Sequence, residues 1–159
     1  MKKLFILGLL ATVVFGSTSC RRVLGTRSWA GGTFTAKIDG VRWKAHAGTI
    51  NYPAEGSIGI QGTGSHGTGM LNIGSDLEGT YNSQQVSLSF GVDEWNGQPA
   101  DQIYMNASPT TLAYSDLTLE VITNNDEELE IEFEGFLFDK DGNSVEVKKG
   151  RIHHKKMAE

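Results

Sequence analysis

Several residue groups in this chain of 159 residues have types and spacings suited to chemistry. Gly62-Thr63-Gly64-Ser65-His66-Gly67 matches, letter for letter, the G-x-G-x-x-G turn that holds a dinucleotide pyrophosphate. That turn delivers the phosphate to a helix N-terminus and needs an acid about 20 positions further on for the ribose. Here residues 70–73 read as a strand, and the positions around Ser87 are not acidic. The run is therefore expected to be a glycine-rich loop between strands, with no nucleotide bound. Asp139, Asp141 and Asn143 offer alternate oxygens to calcium, but an EF-type loop wants glycine at its sixth position and glutamate at its twelfth. Counted from Asp139 those positions hold Ser144 and Gly150, so hairpin-turn chemistry is the better reading of residues 139–143.

Glu130, Glu132 and Glu134 would share one strand face, a spacing open to glycosidase acids or a cation. Solvation is the ordinary state of such a stripe. His153 and His154 are adjacent, so on a strand they point to opposite faces and do not converge on one metal. His46 and His66 have no partner at ligand spacing. No metal and no cofactor are expected. The remaining candidate is a polar loop carrying Asp93, Glu94, Trp95, Asn96 and Gln98. A loop indole beside hydrogen-bonding side chains can stack a sugar ring, and Asp93 with Glu94 could supply hydrolytic carboxylates. Trp43, by contrast, belongs to a core face.

Two functional classes follow. The favoured one is a non-enzymatic envelope module that binds a glycan, a peptide or another envelope protein, or that serves a structural role. The alternative is a carboxylate-dependent hydrolase acting on envelope or dietary glycans. The first is preferred because no nucleophile, base and acid fall into a readable constellation.

The elements that position these residues begin with a leader. Lys2 and Lys3 precede an apolar run over residues 4–15, too short to cross a ~30 Å hydrocarbon core as a helix. Gly16, Ser17, Thr18 and Ser19 then lead into Cys20, the sole cysteine. Small residues ahead of a cysteine at the cleavage point resemble a lipobox, with Ser17 where leucine is usual. The resemblance implies a signal peptide over residues 1–19 and acylation of Cys20. An unmodified Cys20 would leave a lone exposed thiol in an oxidising compartment, whereas two or three acyl chains give a stable anchor. Without the two leader lysines the formal charge becomes about −7, which argues against a nucleic-acid partner. Residues 20–32 are read as the lipidated cysteine and a flexible tether. Arg21 and Arg22 follow Cys20 where surface-exported lipoproteins tend to carry acids, which favours an outer-membrane position facing the periplasm.

From Thr33 the hydrophobic period is two, and residues 33–154 are read as one β-sandwich domain, with a frayed tail over 155–159. Asp39-Gly40 is the signature of a two-residue type I′ hairpin. It sets Ile38 opposite Val41, Ala36 opposite Trp43 and Phe34 opposite Ala45, with all six on one face. Lys37 then faces Arg42. Further strands are expected over residues 48–52, 57–61, 68–73, 86–92, 102–106, 117–123, 129–138 and 144–153, with room for a short helix in 93–101. In residues 129–138 a glycine bulge at Gly135 is expected to return Phe136 and Phe138 to the core. In the last strand Ile152 comes back in after Gly150. The fold class is all-β: an antiparallel sandwich or partly closed barrel of about 8–10 strands.

The segment from Phe34 through Ala36, Ile38, Asp39, Gly40 and Trp43 to Ala45 resembles the F-x-A-x-I-D-G-x-x-W-x-A opening hairpin of a family of small Bacteroidetes-type lipoproteins. Glu134-Gly135-Phe136-Leu137-Phe138, the Asp139 to Asn143 turn and the valine-rich last strand are similar to that family's ending. The resemblance implies a lipid-anchored β domain and supplies no catalytic residues.

Overall fold

The computed structural model describes residues 26–28, 32–51, 56–93, 102–111 and 113–155. They form eleven strands: β1 (Thr26–Ser28), β2 (Thr33–Ile38), β3 (Val41–Asn51), β4 (Ile58–Gly64), β5 (Gly67–Ile73), β6 (Gly79–Asn82), β7 (Val86–Val92), β8 (Gln102–Met105), β9 (Leu117–Asn124), β10 (Glu128–Phe138) and β11 (Ser144–Lys155). Eight of them close into an antiparallel barrel in the order β11-β2-β3-β4-β5-β7-β8-β10, with β10 pairing back onto β11. β9 and β6 extend outward from β10, and β1 lies against the far part of β3. The fold is thus all-β and closed, and the sandwich-or-barrel expectation resolves to the barrel.

The opening hairpin has the register that its turn residues dictate. Asp39 and Gly40 both take positive φ, 49° and 76°, as a type I′ turn requires. Phe34 pairs with Ala45, Ala36 with Trp43, Lys37 with Arg42 and Ile38 with Val41. Five of the six apolar side chains are buried, and Val41, at the rim, is half-buried. Strand β3 then runs on unbroken to Asn51, so the separate strand expected over 48–52 is its continuation past a bulge between Ala45 and Ala47.

Aromatic rings fill the middle of the barrel. Phe34 and Phe90 each meet Trp43 edge-on at 5.0 Å, and Phe133 stands 6.1 Å from Phe34 and 6.4 Å from Phe90. Edge-to-face rings at such distances add to the gain from burying their area. They fit because the wall beside them is thin. A methyl group on Gly69 would come within 2.8 Å of Trp43 Cη2 and 3.0 Å of Phe90 Cε1, and one on Gly62 within 2.9 Å of Phe34 Cδ1. The fingerprint-like glycines thus belong to a hairpin in which Gly62 pairs with Gly69 and Gly64 with Gly67 around a two-residue turn. The expected loop shrinks to Ser65 and His66.

The phase of the last hairpin departs from expectation. Leu129, Ile131, Phe133 and Leu137 are all buried, so β10 keeps one parity throughout; Phe136 is 42% exposed and Phe138 only half-buried. The slip lies across the ladder on β11, where Phe133 pairs with Gly150 but Gly135 with Val147. Lys149 takes the left-handed φ of 50° there, and parity changes from Val147 to Ile152. Gly135 is demanded for another reason. Its φ is +136°, and a Cβ would lie 2.1 Å from the Asp116 carbonyl oxygen. At this point the edge of β10 passes from β9, whose Leu117 pairs with Gly135, to β8, whose Met105 pairs with Phe138.

That handover leaves a seam. β8 is only four residues long, and where it stops the side chain of Asn106 continues its pairing. Asn106 Oδ1 accepts from Leu88 N at 2.8 Å, and its Nδ2 donates to the carbonyls of Ser83 at 2.8 Å and Val86 at 2.9 Å. Ser83 Oγ donates to the Ser115 carbonyl, and Ser115 N donates to the Asn106 carbonyl. A buried carboxamide stands in for a missing stretch of strand, since buried backbone groups must find partners.

Two further expectations change. Within the tether assigned to residues 20–32, Thr26–Ser28 is a strand paired with Thr49–Asn51. At the other end β11 holds its pairing with β10 through His154 and Lys155, so ordered structure runs one residue past the expected domain boundary.

Candidate functional site

Of the polar loop expected to stack a ligand, only Asp93 falls among the described residues; Glu94, Trp95, Asn96 and Gln98 lie outside them, as does Cys20. Asp93 is exposed at the end of β7, and its backbone N donates to the His66 carbonyl at 3.3 Å. This places the start of the loop beside the β4–β5 turn. Thr26 pairs with Asn51, at the end of β3 away from that turn, so the N-terminal segment and the 93–101 segment leave opposite ends of the barrel.

The Asp139 carboxylate is committed to its own turn. Oδ1 accepts from the backbone N of Asp141 at 2.9 Å and of Asn143 at 2.8 Å, while Oδ2 accepts from Asn143 Nδ2 at 2.9 Å. Those bonds, led by the one from the Asn143 side chain, hold its pKa below the ordinary 3.8. Asp141 is engaged by Lys140 Nζ at 2.7 Å, whose own pKa the contact raises. Oxygens bound inward in this way close a hairpin. Tyr104, buried near this end, has its pKa raised by burial and then by the charges of Asp39 and Asp139.

The outer wall divides into three sectors. On β9 and β10 the outward charges are acidic: Glu120 pairs directly with Glu132, and Glu130 and Glu134 flank it on β10. On β11, β2 and β3 they are basic. Lys148, Lys37 and Arg42 form one row across the three strands, and Arg151, Thr35 and Lys44 form the next. On β4, β5, β7 and β8 the wall is uncharged, presenting Gln61, Thr63, Met70, Asn72, Ser87 and Ile103. Of the eight lysines and arginines whose side chains are described, only Lys140 lies outside the basic sector.

Where acidic and basic sectors meet, a shallow groove of about 400 Å³ runs past Thr118, Glu120, Glu132, Glu134, Lys149 and Arg151. The bulge that turns Lys149 outward and the missing side chain of Gly150 open it above the Phe133 ring. Arg151 leaves its direct neighbour Glu132 and reaches Glu130, donating from Nε at 3.0 Å. Among the described residues Glu120, Glu132, Glu134 and Lys149 form no ion pair. Like charges set directly opposite across a ladder are destabilising, so Glu120 and Glu132 make a standing demand for a counter-charge. The groove can hold a partner that presents a cation to β9 and an anion to the bulge.

The histidines behave as strand geometry requires. His153 points out to Glu128 at 2.7 Å, whereas His154 is buried. His46 is exposed on the β3 bulge and His66 is half-buried in the β4–β5 turn. Among the described residues no three His, Cys, Asp or Glu side chains converge as metal ligands. Sequence reading found the glutamates of β10 but missed Glu120 and Lys149. The first needed the β9–β10 register, and the second needed the bulge to sit on β11. Comparison of the chain with family models, curated proteins and solved structures returns no match.

Proposed function

We propose that the chain is a lipoprotein of the bacterial cell envelope, acylated on Cys20 and held at the outer membrane facing the periplasm, with a barrel that works as a non-enzymatic binding or structural module. The observation that carries the second half is the filled interior. An eight-stranded barrel has room for its own side chains or for one small ligand, and here Phe34, Trp43, Phe90 and Phe133 occupy the middle. Contact with other molecules then belongs to the outer wall and the end loops. A sectored wall suits a polar partner such as a glycan, a peptide or another envelope protein. The first half rests on the Lys2-Lys3 leader, its apolar run and the small residues before Cys20, together with the likeness of the opening hairpin to envelope lipoproteins.

The test is metabolic labelling with palmitate followed by fractionation. Wild type is expected to carry label and to sediment with membranes, while Cys20→Ala loses the label and either leaves that fraction or stalls as an uncut precursor. A Cys20→Ala protein that matures and fractionates like wild type sinks the proposal.

A further inference from the structure

We infer that the basic wall of β11, β2 and β3 is a membrane-contact face, which lays the barrel on its side against the anionic phospholipid headgroups of the membrane that anchors it. The inference rests on the lipoprotein reading above and adds to it an orientation and a chemistry. The chain is acidic overall, with a formal charge of −5, yet apart from Lys140 the cations whose side chains are described are collected on three neighbouring strands. Lys148, Lys37 and Arg42 stand side by side in one row, separated only by the ~4.7–4.9 Å spacing of strands. Such a row carries a like-charge cost that an anionic partner would relieve. Lys148 reaches Glu146 at 2.7 Å and Arg151 reaches Glu130. Among the described residues Lys37, Arg42, Lys44 and Lys149 form no ion pair.

The position of the anchor agrees. β1 lies on the same edge of β3 as β2, antiparallel to β3, so it continues the line of β2 along this wall, with Thr26 level with Asn51 at the end away from Arg42 and Lys44. Only residues 21–25 separate Cys20 from β1, a reach of roughly 17 Å at about 3.4 Å per residue. Basic groups within a Debye length of an anionic leaflet are attracted to it, and a lipid on Cys20 would tie one end of this wall to that leaflet.

Lipidated protein is reconstituted into vesicles of phosphatidylcholine alone or mixed with phosphatidylglycerol, and lysine acylation by a water-soluble reagent is read by mass spectrometry. Lys140, on the 139–143 turn, is the internal reference. On anionic vesicles Lys37, Lys44 and Lys148 are expected to label several-fold more slowly than on neutral ones, with Lys140 unchanged. The protection should vanish in about 1 M salt, where the Debye length is ~3 Å, and, read at the remaining Lys148, in the exposed triple variant Lys37→Glu, Arg42→Glu, Lys44→Glu. Equal labelling on both vesicle types, with the protein floating on both, overturns the inference and leaves the lipid anchor intact. Flotation on anionic vesicles alone, with Lys37 protected, would retain the face and overturn the anchor; flotation on neither removes both. Protection by a soluble oligonucleotide but not by anionic vesicles assigns the face to another polyanion and also overturns it.

Discussion

The barrel wall is closed in two different ways. From β11 through β2, β3, β4, β5 and β7, each strand meets the next along a backbone ladder of at least five residue pairs. On the other side, β8 meets β10 at the single pair of Met105 with Phe138, and past the end of β8 the Asn106 carboxamide holds the chain to Val86 and Leu88 of β7 and to the Ser83 carbonyl. A ladder spreads its stabilisation over many equivalent bonds, so no outward side chain matters much. A seam with few backbone pairs and one carboxamide making three bonds concentrates it.

Asn106→Leu should therefore be the most damaging of the simple substitutions. It keeps the volume but strips Leu88 N and the Ser83 and Val86 carbonyls of their partner. At ~1–3 kcal/mol for each buried group left unpaired, urea denaturation should show a loss of about 3–9 kcal/mol. Thr68→Ala, on a laddered strand, should stay within ~0.5 kcal/mol. Similar losses at both positions would erase the distinction between ladder and seam. Within the laddered half the inward glycines are the sensitive points. Gly69→Ala presses a methyl into Trp43 and Phe90 and should cost ~1–3 kcal/mol, while Gly74→Ala, with nothing within 4 Å, should be neutral. Should Gly69→Ala unfold at wild-type denaturant, the rings are looser than drawn.

Smaller effects belong to the surface. Glu130→Gln breaks the pair with Arg151, and a loss of ~0.2–1 kcal/mol is expected, shrinking in high salt. A salt-independent loss would point to packing instead. Asp139→Asn should be visible at neutral pH and should fade in acid. Because its folded pKa lies below 3.8, the carboxylate stabilises the fold at neutral pH. That contribution starts to fall once the pH drops below about 4 and is gone below the lowered pKa. Wild type should then lose stability between these limits more steeply than the variant, by thermal melts across the acid range. Parallel curves would show that the turn contributes nothing to the acid transition.

The same contrast separates what the sequence reveals from what it hides. In the ladders, alternation is enough. Residues 86–92 were expected as a strand and form β7 with those bounds, and the register of Phe34 on Ala45 follows from Asp39-Gly40 alone. The seam is built from Asn106, Ser83 and Ser115, residue types that read as loop wherever they occur, and their role appears only once distant chain segments meet. Gly135 shows the limit well. A glycine there signals that something special happens, but the cause is the carbonyl of Asp116, the residue just before β9. Strand β6, with Gly79, Thr80, Tyr81 and Asn82, buries no full side chain and so leaves no hydrophobic period to read. For the candidate site, Lys37 facing Arg42 was legible from the hairpin. Lys148 beside them was not, because β2 and β11 come from the two ends of the domain.

One short element has a mechanical consequence. Strand β1 pairs Thr26, Arg27 and Ser28 with Asn51, Ile50 and Thr49. Under the proposed anchoring, any tug from the bilayer enters the protein along the axis of β1. Bonds loaded in shear must break together rather than one after another, so these three pairs take the strain before the barrel does. They can detach to lengthen the leash and re-form when the load passes, leaving the ring packing undisturbed.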